Sequence, residues 1–368
     1  MKVLMITNCD ILSTNNIGVF NKLYGQAKAF VSQNCNLDFY YNKSYMLVKE
    51  NINNYKKIFI RPKNSEDKYE IILNEIKRTK YNIIYIRYSV SDYYLLKFLY
   101  NVKLVSSDAK IILDFPTYPY DNELKNSSIK LSVDRKLRLE LYKYVDLGIC
   151  YNNVNKIFSI PVINIGNGVS VNKIKIKDKN INKINNDLRL IAVANISFWH
   201  GFDRIINELN KYYSSNPNYI VNLTIVGDGD ELNNLVQLVK KNNLQKYVKF
   251  KGAQKGTNLD KLFNESDIAI GSLGMKRNNL KDGSTLKLRE YCSRGIPFIY
   301  GYNDNDFNEK FKYALKVPND ESYIDIKSLI NFYESIKNDE FIIENMREYA
   351  EQNLSWENKV KKILELIK

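Results

Sequence analysis

The feature that most constrains this chain is an alternation: short apolar runs are separated by helical patterns along most of its length. Such alternation specifies βα units, and repeated βα units specify a parallel sheet covered by helices. In the amino-terminal half the predicted strands are Lys2–Thr7, Lys57–Ile60, Ile83–Arg87, Lys110–Leu113 and Leu147–Cys150, with helical segments such as Leu23–Ser32 and Tyr69–Lys80 between them. After the turn Asn164–Val169 comes Asn172–Asn186, rich in Lys and Asn and without apolar periodicity, the candidate linker. A second block follows: strand Leu188–Val193, helix Phe202–Tyr213, strand Asn222–Val226, helix Glu231–Asn242, strand Val248–Phe250, helix Leu259–Asn264, strand Ile268–Gly271, helix Thr285–Cys292 and strand Pro297–Gly301. The expectation is two doubly wound domains, 1–170 and 187–354, joined by 171–186. In that plan ligands bind beyond the carboxyl ends of the strands.

With 368 residues, 44% hydrophobic and 26% charged, the chain can bury two cores, which excludes a disordered, collagen-like or coiled-coil protein. A single histidine, His200, excludes an HExxH or His-rich zinc site and leaves one residue for any Ser-His-Asp triad. Cys9, Cys35, Cys150 and Cys292 are too far apart for a CxxC pair and read as reduced thiols of a cytoplasmic protein. Met1–Asn8 reads as a short strand rather than a secretory leader, and no run of 18 apolar residues exists. The formal charge of +14 comes from lysines spread along the chain, so a solvated basic surface or attraction to an anionic membrane leaflet accounts for it, and no nucleic-acid partner is expected.

The richest chemistry lies in Asp282-Gly-Ser-Thr-Leu-Lys-Leu-Arg-Glu290 and the YCSRGIPFI that follows. Gly283, Ser284, Thr285 and Leu286 stand where a loop becomes a helix, whose free N–H groups and positive end suit a diphosphate. Lys287 adds a cation, and Glu290 can accept hydrogen bonds from a ribose diol. On residue types alone, a capped helix carrying a solvated acid is an equally complete account.

The segment resembles the signature of retaining glycosyltransferases of family 4, in which two glutamates separated by seven residues precede a small-residue turn. Here the pair is Asp282 and Glu290, and Gly295-Ile-Pro297 matches the turn. The SxLKLREY wording is close to that of capsule and exopolysaccharide enzymes of the family. LTIVGDGDELNNL (223–235, with Gly227), VKFKGAQ (248–254, ending at Gln254), LFNESDIAIGSL (262–273), ANISFWHGFDRII (194–206) and, more weakly, NNIGVFNKLYGQAKAF (15–30, with Gly18) resemble further family segments in order.

The resemblance implies a GT-B fold, two Rossmann-like domains facing across a cleft, with helix 355–368 packing back on the amino-terminal, acceptor-side domain. It implies transfer of a sugar from a nucleotide-sugar substrate, a UDP-sugar being favoured, to a glycan or lipid-linked acceptor, with no metal and no other cofactor. Asp282, Glu290 and His200 are the expected catalytic residues. Gly18, Asn195, His200, Arg204, Gly227, Gln254, Gly283, Ser284, Thr285, Leu286, Lys287 and Glu290 are the expected donor-binding residues, and Tyr118, Asp121 and Glu123 the expected acceptor-side ones. The chain departs from the family at Asn195 and His200, where an Arg and a Lys are common, at Asp282, and in lacking an amino-domain histidine. Either a protonated His200, or Lys287 with Arg204, must then supply the charge. These departures keep open a catalytically silent GT-B-like partner or glycan-binding subunit, and an epimerase of the same architecture.

Two DxD strings, Asp228-Gly-Asp230 and Asp304-Asn-Asp306, lack the single-domain surroundings in which such motifs hold a metal. The basic amphipathic segment Ile129–Tyr144 suits either packing on its sheet or peripheral contact with an anionic membrane at the inner face of the plasma membrane.

Overall fold

A computed structural model describes residues 1–13, 17–121, 128–179, 186–308 and 310–367. The chain divides into two units, Met1–Gly168 with Trp356–Lys368, and Val169–Ser355.

Unit 1 runs β1 (Lys2–Asp10), α1 (Ile17–Ser32), β2 (Asn36–Lys43), β3 (Met46–Asn51), β4 (Lys56–Ile60), α2 (Ser65–Arg78), β5 (Ile83–Arg87), α3 (Tyr93–Val105), β6 (Lys110–Asp114), α4 (Ser128–Leu137), β7 (Leu147–Cys150), β8 (Lys156–Ile157) and β9 (Ile160–Asn164). Its nine described strands form one sheet in the order β4-β3-β2-β1-β5-β6-β7-β9-β8. The central strands β2, β1, β5, β6, β7 and β9 are parallel, and β3, β4 and β8 are antiparallel additions. Strands β1, β5, β6, β7 and β9 are largely apolar because helices cover both faces. Ile72, Ile76, Leu95, Phe98 and Leu99 of α2 and α3 close one face. Leu23, Ala27 and Phe30 of α1 close the other, together with Trp356, Val360 and Ile363 of the carboxyl-terminal helix.

Three local readings change. Asn36–Lys43 and Met46–Asn51 are strands although their sequences are polar; buried Glu50 accepts from the hydroxyls of Tyr24 (2.8 Å) and Tyr41 (2.7 Å), and buried Asp38 from Tyr81 (2.6 Å). Lys57–Ile60 belongs to an exposed antiparallel strand rather than to a βα unit. The basic segment 129–144 is not one helix: α4 gives way to a 3-10 helix at Arg138–Lys143. Its Asp134 is buried among Tyr88 Oη, Tyr120 Oη and the Ser91 N–H, while Ile129 is 82% exposed.

Unit 2 runs β10 (Asp187–Val193), α5 (Phe202–Ser214), β11 (Ile220–Val226), α6 (Leu232–Lys241), β12 (Val248–Phe250), α7 (Thr257–Asn264), β13 (Ile268–Ile270), α8 (Leu286–Arg294), β14 (Phe298–Tyr300), β15 (Ala314–Lys316), α9 (Ile326–Ile336) and α10 (Ile342–Tyr349). The last helix, α11 (Trp356–Ile367), belongs to unit 1. The unit 2 sheet is parallel in the order β12-β11-β10-β13-β14-β15, which is the doubly wound Rossmann order. Of the stretch 171–186, Lys177 is anchored to unit 2 through Arg294 O and Asn264 O, and 180–185 lie outside the described residues. No helix among the described residues is long and apolar enough to cross a membrane.

Candidate functional site

The order of the unit 2 sheet reverses between β10 and β13, and a parallel sheet leaves a crevice at such a point, beyond its carboxyl ends. The loops there are 194–201, 227–231, 251–256, 271–285 and 301–308. Gly227 sets their spacing. Its φ is 135°, and a Cβ there would lie 1.8 Å from Ala194 O, so only glycine lets the two loops touch. The Ile196 N–H to Asp228 O bond (2.6 Å) and the Gly227 N–H to Gly252 O bond (2.8 Å) tie three loops together. Gly201, at φ 65°, makes a similar approach to Gly274 and carries the turn into α5. Asn195 is exposed on this edge, and Gln254 lies in the third loop with its amide donating to Lys251 O (2.7 Å).

Loop 281–285 leads into α8. The Gly283 N–H donates to Asn303 O (2.9 Å), and Thr285 Oγ1 pairs with Tyr302 Oη (2.6 Å). Thr285 occupies the N-cap position but makes no side-chain cap, so its hydroxyl leaves the first-turn N–H groups of α8 to another partner. Ser284 is half-buried before it and Leu286 exposed after it. In that first turn the Lys287 ammonium is buried and has no hydrogen-bond partner among the described residues. Its nearest aromatic neighbour is Phe202, with Nζ 5.8 Å from the ring centroid. Burial lowers its pKa to about 7.

His200 stacks on the same Phe202 ring at 5.4 Å. Its Nδ1 accepts the Ser197 N–H (3.0 Å), which leaves the ring proton on Nε2. Burial first, and the Lys287 charge second, lower its pKa to about 3. With no anion beside it, His200 is therefore a neutral Nε2–H donor at physiological pH. The Arg204 guanidinium donates through Nη1 and Nη2 to the carbonyls of Leu273, Pro318 (3.2 Å) and Ser322 (2.8 Å), while its buried Nε has no hydrogen-bond partner among the described residues.

Asp282 is half-buried, its Oδ1 accepting from Asn303 Nδ2 (3.0 Å). Glu290 receives Arg294 on Oε1 (2.9 Å), and Arg294 in turn reaches Asp260 (2.6 Å). The other Glu290 oxygen takes no hydrogen bond among the described residues. Arg289 was not among the expected site residues. It is fully buried and binds both Asp304 and Asp306, which commits the second DxD string to holding α8. Asp228 of the first string caps its own turn at the Gly229 N–H (2.8 Å).

The remaining expected residues belong to unit 1. Gly18 stands in open space near the start of α1. Tyr118 is half-buried against the core, and its carbonyl accepts from Asn152. Asp121 is gripped by Arg135 (2.9 Å) and Arg138 (2.6 Å), which hold its carboxyl below the usual range, so it ties its loop to α4 and the following turn. Glu123 lies outside the described residues.

Residues 173–305 match the family model described as Glycosyl transferases group 1. No curated protein matches the chain in sequence. Among solved structures, HepE of Anabaena in complex with UDP is similar with TM-score 0.64 at 15% identity, over 100% of this chain and 99% of that one. Sucrose-phosphate synthase of Thermosynechococcus elongatus is similar with TM-score 0.63 at 13% identity, over 100% and 98%. The pneumococcal O-GlcNAc transferase GtfA, in complex with UDP and GlcNAc, is similar with TM-score 0.59 at 10% identity, over 100% and 99%. The architecture, two Rossmann-like units built on parallel sheets, is that of the GT-B glycosyltransferases.

Proposed function

We propose that the chain transfers a sugar, a hexose, from a UDP-sugar to a hydroxyl of a glycan or lipid-linked acceptor in bacterial surface-polysaccharide synthesis. The observation that carries the reading is the buried, unpartnered Lys287 ammonium in the uncapped first turn of α8. A desolvated cation beside free N–H groups is costly until an anion arrives, and a diphosphate satisfies both at once. Neutral His200 adds an Nε2–H donor. The family match over 173–305 covers this segment, and the HepE and GtfA structures hold UDP, which favours that nucleotide.

The chemistry follows from charge placement. As the bond from the anomeric carbon to the phosphate oxygen breaks, negative charge grows on the departing UDP, where Lys287 and the α8 amides are preorganised to meet it. The acceptor oxygen bonds to the same face of that carbon, and its proton passes to the leaving phosphate oxygen. Configuration is retained, and neither a protein base nor a metal is required. Glu290 accepts from the ribose diol, and Asp282 holds sugar hydroxyls. A place in glycosyltransferase family 4, and a cytoplasmic site at the inner membrane face, belong to the same reading. Exposed Ile129 and Leu139 beside Lys130 and Lys136 support the latter.

Calorimetric titration with UDP and GDP in EDTA tests it. Metal-free binding of UDP, weakened at least about tenfold (~1.4 kcal/mol) in Glu290→Ala, is expected. No nucleotide binding at millimolar concentration overturns the reading and leaves a silent partner subunit.

A further inference from the structure

We propose a second anion site, in unit 1, in which Arg87 binds a phosphoryl group. Arg87 ends β5, and in the sheet register it stands directly beside Asp114, which ends β6. The two side chains approach without joining: Arg87 Nη1 lies 3.9 Å from Asp114 Oδ2, and neither atom has a hydrogen-bond partner although both are buried. Asp114 spends its other oxygen on the Tyr151 hydroxyl (2.7 Å). No hydrogen bond of the Arg87 guanidinium is found among the described residues, though its side chain is only 15% exposed.

Four other largely buried guanidiniums each reach a carboxylate at hydrogen-bond distance. Arg189 forms a fork with Asp267 at 2.9 and 2.8 Å, and Arg277 does so with Asp203 at 2.8 and 2.8 Å. Arg138 reaches Asp121 at 2.6 Å, and Arg294 reaches Asp260 at 2.6 Å. A guanidinium carries five fixed donors suited to forked recognition of oxyanions, and buried donors are normally satisfied. Arg87 keeps a carboxylate near enough to hold its position and too far to use up its donors. Lys22 adds a second positive group, with Nζ 3.7 Å above the Tyr151 ring. Asp10, at the end of β1, turns Oδ1 to the N–H groups of Leu12 (2.9 Å) and Ser44 (3.1 Å). At the carboxyl edge of the sheet, Arg87 Nη1 and Asp114 Oδ2 thus stand side by side, each without a hydrogen-bond partner. Read with the proposed function, the phosphoryl group is that of a lipid-linked acceptor, and to that extent the inference rests on that reading.

The test is calorimetric titration of the full chain with inorganic phosphate and with decyl phosphate. It is made in a Lys287→Met background, which removes the α8 phosphate site, so the outcome does not depend on nucleotide binding. One phosphate site per chain is expected, at least tenfold weaker in Arg87→Gln and largely kept in Arg87→Lys. Asp114→Asn still accepts from Tyr151 but no longer competes for Arg87, and it should bind phosphate three- to tenfold more tightly. A preference for decyl phosphate assigns the site to a lipid-linked group, and equal binding assigns it to free phosphate. Absence of a site, or weaker binding in Asp114→Asn with its fold intact by circular dichroism, overturns the proposal and leaves an ordinary structural ion pair.

Discussion

The two sides of α8 treat a buried cation in opposite ways. Toward loop 303–308, Arg289 is fully buried and matched by two carboxylates, Asp304 and Asp306. Toward loop 197–202, Lys287 is two residues earlier in the same helix, its ammonium also buried, with an aromatic ring and a neutral imidazole for neighbours. The first arrangement is complete and holds the loop; the second has no partner for its ammonium among the described residues, and under the proposed function a diphosphate supplies one. Burial alone therefore does not separate structural charge from functional charge, whereas the state of the partners does.

The sharpest way to break the comparison is Arg289→Ala. It leaves two acids without their counter-ion, and breaking a buried pair typically costs about 3–5 kcal/mol. Chemical denaturation should show a loss of that size; a loss below about 1 kcal/mol would mean that water already serves these carboxylates. Lys287→Met should behave in the opposite sense. Removing an unpartnered buried ammonium leaves stability unchanged or higher, while UDP affinity falls by about 1.5–3 kcal/mol, the usual value of hydrogen bonds to charged groups. A variant that loses stability and keeps UDP binding would place Lys287 with Arg289 as a structural group.

The comparison is also open to test through the pH dependence. Lys287 titrates near 7 in the folded chain, against about 10.4 when unfolded, so the unfolded state binds the extra proton between those values. The cost of burying this charge is present below pH 7 and is relieved as pH rises toward 10. The stability of wild type relative to Lys287→Met should therefore increase over that range, and UDP binding at pH 8 should take up a proton. His200, lowered to about 3, likewise leaves the unfolded state binding more protons between pH 3 and about 6.5, so its contribution is lost as pH falls through that window. His200→Gln should flatten the acid limb; an unchanged limb would mean that the imidazole is solvated.

Much of unit 2 was legible because its strands are apolar and its helices amphipathic over a few residues. The predicted Val248–Phe250 and the observed β12 coincide, and Leu188–Val193 misses β10 by one residue. In unit 1, β2 and β3 escaped that reading because their acids are buried against tyrosine hydroxyls from elsewhere in the chain. The loop-to-helix passage at 282–290 was legible as a helix start with a first-turn lysine, since both are local features. That Arg204 donates to three carbonyls, that His200 is held by burial beside Lys287, and that Asp304 and Asp306 serve Arg289 could not be read there. Nor could Arg87, an unremarkable arginine after an apolar run until the register sets Asp114 beside it.

By itself, then, the sequence determined the alternating βα architecture and the start of α8 with a lysine in its first turn, because periodicity and helix ends depend on residues a few positions apart. Only the tertiary structure decided which charges are spent and which are open, because a buried cation's partner is chosen by whichever distant segments the sheets bring to the same edge.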